Sequence, residues 1–144
     1  MKPYRRRTPP IVALALASLV FSAGPMAQPN SLAVNYVIAS DRLHTAGQPN
    51  TEQLTTVADR GFDLVINLAP PTSREAIANE GQLVTETGAS YLNIPVDWQN
   101  PSYADFELFS GVLNQAGERR VLVHCMLNYR ASLFTFLYLS LIHI

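Results

Sequence analysis

Apolar residues along this chain fall into two kinds of pattern, and each predicts a different element. Leu64-Val65-Ile66-Asn67-Leu68 and Val121-Leu122-Val123 are near-continuous apolar runs of strand length, as in strands buried on both faces. Ala33 to Ala39, Leu43 to Ala46 and Tyr91 to Ile94 are further strand-like runs. Between them the pattern turns helical. Asn50 and Gln53 have the spacing of a capping box, Leu54, Val57 and Ala58 recur at helical intervals, and Gly61 ends the segment. Ser73 is expected to open a second helix that Gly88 closes. Ser102, with Asp105 three residues on, opens a third that Gly117 closes, and a fourth follows from about Ala131. Strands alternating with helices predict an α/β fold, a parallel-sheet sandwich with helices on both faces. In such folds the ligand site lies at the carboxyl ends of the strands, and Cys125 stands just beyond the end of the last one.

Both ends of the chain depart from this alternation. Lys2 and Arg5 to Arg7 precede an apolar stretch from Ile11 to Phe21, and small residues follow at Ser22, Ala23, Gly24 and Ala27. That order is the pattern of a signal peptide, and the apolar stretch falls short of the about 20 residues that span a membrane. Residues 1–30 are therefore expected to be signal and linker, and residues 31–144 the folded domain of a periplasmic or secreted protein. Left uncleaved, the signal segment would be the protein's membrane link. At the other end, Leu133 to Ile144 is almost wholly apolar and no capping residue stops it. It is expected to form a buried helix behind the site. Its last six residues, Leu139 to Ile144, read as the translation of a sequencing-library adapter, so the C-terminal part of the domain is expected to be incomplete and His143 carries no functional weight.

Composition narrows the functional classes. At 48% hydrophobic and 15% charged residues the chain can build a core and does not belong with disordered sequences. A formal net charge of -1 gives no electrostatic reason to expect nucleic acid as a partner. The single cysteine excludes an internal disulfide, and three scattered histidines with one cysteine offer no metal-ligand spacing, so no metal and no cofactor is expected.

The chemistry concentrates in Val121-Leu122-Val123-His124-Cys125-Met126-Leu127-Asn128-Tyr129-Arg130-Ala131-Ser132. A hydrophobic strand delivers a cysteine to a short loop, and a helix begins on the far side. Inward-pointing loop amides make an anion nest, and the helix N-terminus adds positive potential. Arg130 adds a forked, permanently charged donor that matches a phosphate. The same positive field favours the thiolate, the nucleophilic form of Cys125.

This stretch resembles the active loop of the cysteine-dependent protein tyrosine and dual-specificity phosphatases. The resemblance extends upstream through Leu43-His44-Thr45-Ala46-Gly47-Gln48-Pro49, Gly61-Phe62-Asp63-Leu64-Val65-Ile66-Asn67-Leu68 and Ile94-Pro95-Val96-Asp97-Trp98. These blocks are similar to a bacterial branch, the predicted phosphatases related to the beta-lactamase-hydrolase-like proteins. The resemblance implies a phosphocysteine intermediate on Cys125, phosphate held by Arg130 and the loop Met126, Leu127, Asn128 and Tyr129, and a phosphorylated protein or small molecule as partner. It gives His124 the task of orienting the loop, and Ser132, seven residues beyond Cys125, that of assisting the departing thiolate. Asp97, 28 residues upstream of Cys125, is the candidate general acid, with Asp105 as the alternative whose ordinary role is at a helix start.

One departure keeps other readings open. Four residues separate Cys125 from Arg130, where the usual phosphatase loop has five, and the usual loop glycine is missing. Asn128 is the natural substitute, since asparagine tolerates positive φ better than most residues. Four-residue spacing is also similar to that of rhodanese-type sulfurtransferases, in which Cys125 would carry a persulfide. A phosphate-binding module without turnover is the third reading.

Overall fold

The computed structural model describes residues 32–142. The signal segment and His143, read from sequence above, lie outside the described residues. Five strands, β1 (Val37–Ile38), β2 (Leu43–Ala46), β3 (Leu64–Asn67), β4 (Ser90–Asn93) and β5 (Val121–His124), form one sheet in the order β1-β2-β5-β3-β4. Among the described residues four helices accompany them: α1 (Thr51–Leu54), α2 (Glu80–Glu86), α3 (Tyr103–Ala116) and α4 (Tyr129–Ile142). The last strand in sequence thus lies at the centre of the sheet. Its residue His124 is level with Ala46 of β2 and with Asn67 of β3, so three carboxyl ends finish side by side.

The near-continuous apolar runs have the environment they predict. Every residue of β3 and β5 is buried. Leu64, Ile66, Val121 and Val123 pack with Phe109, Leu113, Ala131 and Phe134 of α3 and α4. The alternate residues Val65 and Leu122 pack on the other face with Leu54, Val57, Phe62 and Val84. Helices therefore cover both faces of a mostly parallel sheet. Both capping boxes form, Asn50 with Gln53 and Ser102 with Asp105, because each needs only neighbours in sequence.

Four local expectations are corrected. The first strand is two residues long, not seven, and it runs antiparallel to β2. Only four residues join them, and the amides of Ala39 and Ser40 both donate to Leu43 O at 3.0 Å; so tight a connection can only reverse the chain. The helix after Asn50 is a single turn, continued by turns as far as Gly61, whose φ of 83° needs glycine. Ser73 does not open a helix. It sits in successive turns, with Ser73 N donating to Pro70 O and Ala76 N to Ser73 O, and α2 begins only at Glu80. Finally, α4 is not buried all round. Ala131, Phe134 and Thr135 face the core, while Leu133, Phe136, Leu137, Leu141 and Ile142 are exposed. Among the described residues no helix is long and apolar enough to cross a membrane.

Candidate active site

Cys125 leaves β5 at the middle of the sheet and is buried, 2% exposed. Its amide donates to Ala46 O at 3.2 Å, which pins it to the end of β2. The loop beyond is held on two sides. Gln48 N donates to Met126 O at 3.1 Å, and Gly47 is bridged to Leu127. A Cβ on Gly47 would stand 2.9 Å from Met126 O, so this close approach demands glycine. From the segment before β1, Asn35 Nδ2 donates to Leu127 O at 3.1 Å, and Asn128 Nδ2 donates back to Asn35 O at 2.6 Å.

Asn128 is the residue at which the loop turns into the helix. Its φ is 74°, the left-handed conformation expected of it in place of glycine. The first intrahelical bond of α4 runs from Ser132 N to Asn128 O at 2.9 Å. The amides of Tyr129, Arg130 and Ala131 therefore stand outside the helical ladder, where they can serve an anion.

Cys125, Met126, Leu127, Tyr129 and Arg130 line one cavity of about 240 Å³, together with Trp98 from the loop after β4. The Trp98 and Tyr129 rings, both largely exposed, lie 6.3 Å apart and flank the opening. Among the described residues, Nε and Nη1 of Arg130 are buried and meet no hydrogen-bond partner. Buried donors left unmet cost about 1–3 kcal/mol each, more when charged, and the oxygens of a bound anion would satisfy them.

The other sequence candidates are spread around this cavity. Asp97 is exposed beside Trp98 and does not line the cavity; its Oδ1 accepts from Gln99 N at 2.9 Å, closing a local turn. Asp105 holds the start of α3, accepting from Ser102 N at 3.0 Å. Ser132 is exposed and lines a different cavity, with Asn35, Tyr36, Val37, Leu127, Asn128 and Tyr129. Asn128 borders that second cavity as well, so the loop's polar turn faces away from Cys125. His124 is wholly buried, and Nε2 approaches Glu80 Oε1 to 2.7 Å, off the line of a good hydrogen bond. His44, open to a substrate role on sequence alone, is buried between Tyr36, Phe62 and Arg120, well inside the sheet.

Two residues of this neighbourhood are not legible as site residues in the sequence. Trp98 is one, although the block that carries it is. Glu80 is the other, a carboxylate only 3% exposed at the first turn of α2. Its Oε2 accepts from Gln48 Nε2 at 2.7 Å and its Oε1 from Asn67 Nδ2 at 3.3 Å. Among the described residues no group of three or more His, Cys, Asp or Glu side chains could hold a metal ion.

A strand-delivered cysteine, a loop that opens a helix and an arginine that lines the same cavity make up the candidate site, and the α/β fold that carries them is phosphatase-like. The chain is 44% identical to a solved DUF442 protein from Shewanella putrefaciens CN-32 that is assigned as a phosphatase. The match covers 73% of this chain and 67% of that one, with a TM-score of 0.71. The chain belongs to this DUF442 family. It is also 32% identical, over 95 residues, to the beta-lactamase hydrolase-like protein of Xylella fastidiosa (strain Temecula1 / ATCC 700964), a match that covers 64% of this chain. It spans only 22% of the length of that curated relative. The fold is shared with P. aeruginosa TpbA at 20% identity and a TM-score of 0.59, over 73% of this chain and 62% of that one. No family model matches the chain.

Proposed function

We propose that this protein hydrolyses phosphate monoesters through a phosphocysteine intermediate. The observation that carries the reading is the pairing, in one cavity, of Cys125 with an arginine whose buried Nε and Nη1 have no partner. The Cys125 thiolate attacks phosphorus, and the bond to the ester oxygen breaks. Arg130 and the first amides of α4 bear the charge on the three peripheral oxygens. Asp97 gives its proton to the departing oxygen; its loop is tied to the site through Trp98. Water, losing a proton back to Asp97, then attacks phosphorus, and the S–P bond breaks to release phosphate and restore the thiolate. Trp98 and Tyr129 flank the opening as flat apolar walls, which suits an aryl phosphate such as phosphotyrosine.

Cys125→Ser tests the mechanism. Turnover of a chromogenic aryl phosphate should fall by roughly 10⁴-fold or more while vanadate still binds, because Arg130 and the amides remain. Substantial residual turnover would refute the covalent route. The four-residue spacing favours a second reading, sulfur transfer from a Cys125 persulfide. Thiocyanate formed from thiosulfate and cyanide, without phosphate release, would establish it instead. Export is part of the proposal and rests on the Lys2 to Ala27 pattern. After expression in a bacterial host the mature chain should begin between Gly24 and Gln28, as read by mass spectrometry; an intact chain in the cytosol would overturn this.

A further inference from the structure

Behind the nucleophile loop, on the face of the sheet opposite Cys125, lies a buried polar cluster that the mechanism above does not use. We infer that Glu80 is a positioning residue for the Cys125 loop, its single carboxylate holding together the carboxyl ends of β2, β5 and β3. The inference rests on the phosphatase reading for its meaning, though not for its test.

The contacts come from three segments. Gln48, two residues past β2, donates to Oε2 at 2.7 Å. Asn67, the last residue of β3, donates to Oε1 at 3.3 Å. His124, the last residue of β5 and the neighbour of Cys125, approaches Oε1 to 2.7 Å. Each partner is in turn attached to the site. Gln48 N donates to Met126 O in the nucleophile loop. Asn67 Oδ1 accepts from Ala69 N at 2.7 Å, and Asn67 O accepts from Ile94 N and Asn93 Nδ2, at the root of the loop that carries Asp97 and Trp98. One carboxylate thereby sets the spacing between the nucleophile loop and the loop opposite it.

An acid so deeply buried is costly unless its oxygens are met; here Gln48 and Asn67 donate one hydrogen bond to each oxygen, and the His124 ring lies 2.7 Å from Oε1. A glutamate at the first turn of a helix ordinarily faces water and favours the helix dipole; this one is turned inward. From β4 the Tyr91 hydroxyl also faces the cluster, accepting from Asn67 Nδ2 at 3.2 Å. Burial first, and the Glu80 charge second, push its ionisation up to about 12, so Tyr91 stays neutral over the working range.

Glu80→Gln keeps the shape and removes the charge. Its amide nitrogen must then face one of the two donors, Gln48 Nε2 or Asn67 Nδ2, that a carboxylate oxygen now accepts from. The loop amides that favour the thiolate then lose their fixed aim. In the full chain, kcat toward a chromogenic aryl phosphate should fall about 10- to 100-fold with KM little changed. The pH profile for alkylation of Cys125 by iodoacetamide should move upward. Gln48→Ala, which cuts one contact and spares the carboxylate, should move it less in the same direction. Val84→Ala is the control, since Val84 is fully buried on the same helix and makes no contact of this kind; it should lower Tm without moving the alkylation profile. An unmoved profile in both Glu80→Gln and Gln48→Ala, or an equal movement in Val84→Ala, would overturn the inference. If wild type releases no phosphate yet the profile moves as described, the phosphatase reading fails and the positioning role stands.

Discussion

The two faces of the sheet around β5 differ in what holds them. On one face, Val121, Val123 and Cys125 join an apolar cluster with Phe109 and Phe134, whose rings meet edge to face at 5.7 Å. On the other, Leu122 is followed by His124, and the apolar cluster gives way to Glu80, Asn67, Gln48 and Tyr91. The Cys125 thiol is thus seated on the apolar side and, on the inference above, steadied from the polar side. Apolar contacts are non-directional and tolerate substitutions that keep volume, whereas a buried polar set depends on each member having its partner. Fold stability should therefore be lost mainly on one face, and aim mainly on the other.

That division can be broken most severely at Phe109, which is fully buried. Phe109→Ala should cost about 3–5 kcal/mol of stability, read by denaturant midpoint. At temperatures where the variant remains folded, its alkylation profile at Cys125 should match wild type; a large change there would mean that the apolar face sets aim as well. Asp97, the proposed acid, tests how far aim extends into the loop opposite. Asp97→Asn should slow esters with poor leaving groups by about 10²–10⁴-fold and activated aryl esters far less. Asp105→Asn should cost roughly 1 kcal/mol or less through the capping box, with no leaving-group dependence. If the two variants exchange behaviours, so must the assignments.

A smaller effect is expected at Asn128, where the chain leaves the loop at a φ of 74°. Asn128→Gly should keep the backbone and lose the bond to Asn35, while Asn128→Ala should add a conformational cost of about 1–2 kcal/mol. Vanadate affinity should follow the order Asn, Gly, Ala; an alanine variant that binds as tightly as the glycine one would show that the turn is not under this constraint. The smallest effect concerns His44, remote from the thiol. Burial, and then the Arg120 guanidinium, hold its pKa below the usual histidine value, with Asp41 opposing weakly. The folded state therefore keeps His44 neutral, and the unfolded state binds the extra proton first. His44 should contribute no pH dependence above about 6.5, and stability should fall as pH drops from there through the depressed folded value. The slope of Tm against pH in that window should shrink in His44→Gln; an unchanged slope would place the effect elsewhere.

The parts of the molecule legible in the sequence are those whose cause is local or periodic. The runs around Val65 and Leu122 announce strands covered on both faces, and both capping boxes need only three residues of spacing. Asn128 was readable because few side chains tolerate its conformation. Glu80 was not, because Asn79-Glu80-Gly81 looks like any solvated helix start, and its partners lie 13, 32 and 44 residues away in sequence. Ser73 opens no helix because Pro70 and Pro71 favour the turns that hold it, which outweigh a serine's tendency to cap. Ser132 keeps its offset from Cys125 but, with the loop one residue short, it borders the outer cavity beside Asn35 and Tyr36. Sequence offset alone could not show which side of the helix it would take.

The chain has one cysteine, and it lies in the cavity beside Arg130. A thiol reagent can therefore add at most one label per chain, and only at this position. Mass spectrometry of the intact chain then becomes a head count: the labelled fraction reports how many molecules present a reactive loop, and an oxyanion that shields it lowers that fraction in proportion to its occupancy. Affinities for anions that are never turned over can be measured in this way, with no reporter group and no substrate.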